Sequence, residues 1–134
     1  MFEWTHTVIT SASPEQVWPL YAEVDRWLEW DSGLQAVTLD GPFAVGSRGT
    51  LQVEGQPQLV WELVEVTANA SFTDVTEIPG VATLTFVHRI EPHPEGSAIV
   101  HEVRIEGPAA EQLGPMVTSD TPEAMEALAR IAAA

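Results

Sequence analysis

The sequence contains no cysteine. That absence excludes disulfides, thiolate metal ligands and a cysteine nucleophile, and it suits a compartment where disulfides are not needed. Lysine is missing too, so the basic complement is five arginines against 20 acidic residues, for a formal net charge of −15. Phosphate backbones and anionic lipid surfaces repel such a chain, which argues against nucleic-acid and membrane partners. The acidic residues are scattered rather than blocked, as on a solvated surface and unlike a disordered tail. No apolar run approaches the length that spans a bilayer, and MFEWTHTVIT lacks the basic region of a signal peptide. A cytoplasmic location is therefore the expectation.

What is present suffices for one folding unit. A chain of 134 residues buries roughly 68% of its unfolded surface, so residues 1–134 read as a single domain. Phe2 to Thr10 alternates like a strand and ends at SASPEQVW, where Ser13 suits an N-cap, Pro14 the first helical position and Gln16 the return partner of a capping box. Val17, Trp18, Leu20 and Tyr21 give that helix its apolar face. In EVDRWLEWD, Val24, Trp27 and Leu28 recur at helical spacing and predict a second short helix. Six further strands follow in GLQAVTLD, SRGTLQVE, QLVWELVEV, SFTDVTEI, VATLTFVHRIE and SAIVHEVRIE, separated by short turn-forming segments. After Gly107-Pro108 the period becomes 3.6, with Leu113, Met116, Val117, Ala124, Met125, Leu128 and Ile131 as one stripe. Pro115 is expected near the start of that helix, and a bend or break between Ser119 and Pro122. The element order predicts an α+β domain whose curved antiparallel sheet wraps a long C-terminal helix.

The last hairpin carries the most informative polar residues. Leu84, Phe86, His88 and Ile90 share one face of the first strand, and Ile99, His101, Val103 and Ile105 one face of the second. A turn centred between Pro94 and Glu95 sets His88 opposite His101 on the apolar face. Two readings follow: an acid–base or ligand-anchoring pair, or two core histidines satisfied by carbonyls. Asp74 alternates with Phe72 and Thr76, and it either faces inward as a desolvated carboxylate or lies wet at a strand bend. Trp18, Trp27, Trp30 and Trp61 are more aromatic bulk than so small a core needs. No metal is expected, because His6, His88, His93 and His101 have no ligand spacing. GPFAVGSRG joins two strands without the helix and lysine of a phosphate cradle, so its glycines read as turn positions. No serine sits in a nucleophile elbow, and no cofactor is expected.

The blocks ASPEQVWPLYAEVDRWLEWD, LDGPFAVGSRGTL, FVHRIEP and VHEVRIEGP, together with the terminal helix, resemble the START-like, or Bet v 1-like (SRPBCC), superfamily over essentially the whole chain. The likeness is to its small bacterial polyketide cyclase/dehydrase branch. The resemblance implies a helix-grip fold: a seven-stranded curved antiparallel sheet around a long C-terminal helix, two short helices after the first strand, and a cavity between sheet and helix. It implies that the region of Trp30 lines the cavity mouth, and that Trp30, Trp61, Phe72, Phe86, His88, His101 and Met116 contact a small apolar ligand, whether lipid-like, aromatic or polyketide-like. The alternative is a cyclase or dehydratase in which His88 and His101, with Asp74, move protons. Members of the family share no single catalytic set, so neither activity follows from the fold. A homodimer is left open.

Overall fold

The structure is a computed structural model that describes residues 1–134. Strand β1 (Phe2–Thr10) leads into helix α1 (Pro14–Ala22), a single 3-10 turn (Val24–Arg26) and the one-turn helix α2 (Trp27–Trp30). Strands β2 (Leu34–Val37), β3 (Arg48–Val53), β4 (Leu59–Thr67), β5 (Ser71–Ile78), β6 (Ala82–His93) and β7 (Gly96–Glu106) follow, then helices α3 (Ala110–Thr118) and α4 (Thr121–Ala133). The seven strands form one antiparallel sheet in the order β1-β7-β6-β5-β4-β3-β2, so the chain meanders outward and β1 closes on β7. This is the helix-grip architecture, with the sheet curled around the C-terminal helical segment.

Local chemistry explains the boundaries. Ser13 caps α1 as its spacing predicts: its hydroxyl accepts from the Gln16 amide, and the Gln16 side chain accepts from the Ser13 amide at 2.8 Å. Replacing Ser13 by Ala should cost about 1 kcal/mol and lower the thermal midpoint by a few degrees, as a calorimetric scan would show. In the β2–β3 connection, Gly41 and Gly46 have φ of 118° and 95°, a region that only glycine enters freely. The turn between β6 and β7 is centred at Pro94–Glu95, which pairs His93 with Gly96 and sets the register of the whole hairpin.

The C-terminal helix breaks at Ser119–Asp120, where the paired constraints of Thr121 and Pro122 start a new helix. Pro115 lies inside α3 rather than at its start, because the helix begins at Ala110. That shift rotates the stripe. Ala110, Gly114 and Thr118 face the sheet, and Gly114 lies so close to the Phe2 ring that there is no room for a Cβ. Met116 points the other way and is 61% exposed, so it is corrected from a ligand contact to a surface residue. Leu28 is likewise 46% exposed, since α2 is too short to present more than Trp27 and Trp30 to the core. In α4, Met125 and Leu128 are fully buried, and Thr10 of β1 donates to the Ala129 carbonyl at 3.0 Å.

Candidate functional site

Strand register arranges the inward side chains in cross-strand rows. One row is Phe2, Ile105, Leu84, Thr76 and Trp61; the next is Trp4, Val103, Phe86, Asp74 and Leu63; a third is His6, His101, His88, Phe72 and Val66. Directly paired residues share a face, so the three rows form one concave surface. Its apolar packing is divided. A large cluster at the α1, α2 and α4 end contains Val17, Tyr21, Trp27, Trp30, Trp61, Phe72, Met125 and Leu128. A smaller one under α3 contains Ala82, Leu84, Val103, Ile105 and Ala110. The polar residues His6, His88, His101, Asp74 and Thr76 run along the seam.

The space that the resemblance assigns to a cavity is filled at the α4 end. Trp61 and Phe72 have no exposed surface, and the Trp30 and Trp61 indoles donate to the Leu20 and Thr50 carbonyls at 3.2 and 3.3 Å. Trp30 and Trp61 are thus packed core residues in this structure. Around the seam packing is looser: Trp4, His6 and Phe86 face inward and are only half-buried, while His88 keeps 13% of its side chain exposed.

The titratable groups are close together. His88 and His101 are paired across β6 and β7, their rings 4.6 Å apart and nearly perpendicular. The His88 ring stacks on Phe72 at 3.9 Å, and its Nδ1 lies 3.3 Å from the Phe72 carbonyl oxygen. A carbonyl can only accept, so Nδ1 carries the hydrogen and Nε2 is left as a free acceptor. His101 Nε2 meets the Tyr21 hydroxyl at 2.7 Å, which anchors α1 to the sheet. Asp74 is inward and buried, with 5% exposure, and its closest basic atom is His88 Nδ1 at 3.9 Å, beyond hydrogen-bond reach. The Thr76 hydroxyl is buried without any partner.

Burial dominates the electrostatics. It pushes the Asp74 carboxyl up to about 8 and the His88 imidazole down to about 4, the latter against the pull of the Phe72 carbonyl and Glu65. His101 is held well below its ordinary range by burial and then by its neighbours His88 and His6, and the Tyr21 hydroxyl is raised by burial. Near neutral pH Asp74, His88 and His101 are therefore largely uncharged hydrogen-bonding groups.

The concave face thus brings together Asp74, His88, His101, Phe72 and Phe86. Tyr21, Thr76, Trp4 and His6 complete it. Their signal was the alternation of β1, which puts Trp4 and His6 on the same face as Val8, and the helical spacing that aims Tyr21 at the sheet. Two surface depressions lie along Glu3, Trp4, Thr5, Glu102, Val103 and Arg104 and at the β5–β6 turn around Pro79. Neither contains an acid–base pair.

A family model described as polyketide cyclase / dehydrase and lipid transport matches residues 1–133. The chain belongs to that family. Solved structures agree on the fold. A protein of Mesorhizobium loti superposes with a TM-score of 0.80 at 18% identity, over 97% of this chain and 96% of that one. Ara h 8.0201 gives 0.77 at 10% identity, over 98% and 97%. The di-domain ARO/CYC StfQ from the steffimycin biosynthetic pathway gives 0.82 at 8% identity, where 97% of this chain covers 50% of that one. At these identities the likeness is one of fold alone. A search of curated proteins finds no match.

Proposed function

We propose that this member of the family binds a small, largely apolar molecule in the half-open seam between the sheet and α3, with the polar end of the ligand against Asp74 and His88. The observation that carries the reading is the conjunction of half-buried inward aromatics, Trp4 and Phe86, with a buried carboxyl, Asp74, that lacks a hydrogen-bond partner. An unpartnered buried polar group costs stability, and a ligand that meets it recovers that cost. The family description, and a fold neighbour named as an ARO/CYC of a biosynthetic pathway, support a lipid-like, aromatic or polyketide-like class.

The neutral dye N-phenylnaphthylamine tests it. Its fluorescence should rise on addition of native protein and saturate at one dye per chain, and Phe86→Ala should weaken binding about tenfold without unfolding the domain. Dye binding seen only as the protein melts would reject the reading.

A second reading, dehydration or cyclisation, draws on the acid and base lying side by side. His88 Nε2 would take the proton next to a ketone, and protonated Asp74 would deliver one to the departing hydroxyl, releasing water. An imidazole held down at about 4 is a weak base, which ranks binding first. The aldol of benzaldehyde and acetone reports on it directly: enzyme-dependent growth of the conjugated ketone's ultraviolet absorbance that vanishes in His88→Gln would favour catalysis.

A further inference from the structure

We infer that the ligand carries a protonated amine on its apolar body, held with the ammonium against Asp74. The inference rests on the binding reading above and specifies the charge of what is bound.

Two observations lead to it. The concave face contains a carboxyl and no cation: lysine is absent, Arg26, Arg48, Arg89 and Arg104 pair with Glu29, Glu62, Glu91 and Glu102 away from the seam, and Arg130 is exposed on α4. Asp74, at 5% exposure, consequently has no counter-charge, although buried carboxylates are normally paired. The wall beside it is a π face, since Phe86 is paired with Asp74 across the strands. Aromatic faces attract cations most strongly where water is excluded. The chain's charge of −15 also draws cations toward it and turns anions away. A carboxylate ligand such as a free fatty acid would meet Asp74 with no basic group to receive it.

Binding would proceed with proton release. In the free protein Asp74 is mostly protonated near neutral pH, and forming the ion pair sends that proton to solvent, so calorimetry in buffers of different ionisation enthalpy reads it.

The test compares three probes of one shape: naphthylethylamine, naphthylethanol and naphthylacetate. Near pH 7 and physiological salt the amine should bind at least about tenfold more tightly than the alcohol, with the acetate weakest and with net proton release for the amine alone. Asp74→Asn should erase the preference for the amine and leave the alcohol's affinity within about twofold, whereas Glu3→Gln, an exposed charge removed outside the seam, should change nothing. Equal binding of amine and alcohol, or a preference that survives Asp74→Asn, would overturn the inference and leave the binding reading standing. Failure of all three probes to bind would overturn both.

Discussion

Leu128→Asp is expected to destabilise the domain by about 3–5 kcal/mol, enough to unfold most of a marginally stable population. Leu128 is fully buried in α4 and belongs to the larger core cluster, so the substitution puts a charge where no cation can reach it. Met116→Asp should be nearly silent, within about 0.5 kcal/mol, because Met116 is 61% exposed on α3. The two residues belong to one apolar stripe in the sequence, and only the break at Ser119–Asp120 separates their environments. Urea titrations of both variants therefore test the rotation of α3 against α4. Equal losses would mean a single continuous helix.

The second large effect is a stability maximum near pH 6.5, produced by buried groups that pull in opposite directions. Histidines lowered in the folded state stabilise it above their unfolded value of about 6.5 and lose that contribution as pH falls toward the folded value, about 4 for His88. Asp74 is raised in the folded state, so its contribution is fully present below about pH 4 and is lost as pH rises toward about 8. Between about pH 4 and 6.5 the two histidines outweigh the single carboxyl, and stability rises with pH. Above that, the Asp74 contribution is lost faster than the histidine contribution still grows, for a net loss of roughly 1 kcal/mol by about pH 8. His88→Gln with His101→Gln should flatten the acid limb, and Asp74→Asn the alkaline limb, making that variant more stable than the parent at about pH 8. The acidic surface titrates alike in all of them and cancels in the differences. A parent profile that keeps both limbs in the variants would place the three side chains in solvent.

A stabilising Asp74→Asn also fits the role proposed for Asp74, since groups kept for binding often burden the fold that holds them. That burden was partly legible beforehand. Period-two alternation and the Pro94–Glu95 turn located His88 opposite His101, and the capping box located α1 to the residue. Alternation left Asp74 undecided between core and solvent, because the inward side of β5 depends on pairing with β4 and β6, and β4 carries a bulge between Leu63 and Glu65 that no local pattern reveals. The depth of Trp30 and Trp61 was not legible either: whether a tryptophan lines a space or fills it depends on what Tyr21, Trp27 and Phe72 bring from three other elements. Met116 failed for a geometric reason, since a helical stripe extended through Pro115 and Pro122 assumes a phase that the break resets.

Two-dimensional NMR of the imidazole and indole groups during titration with N-phenylnaphthylamine separates an apolar ligand in the seam from one in the packed end of the grip. Binding in the seam should give saturable shifts at His88, His6 and the Trp4 indole, with the Trp30 and Trp61 indoles unmoved behind Tyr21 and Phe72. Shifts led by Trp30 and Trp61, or no shift at His88, would contradict it.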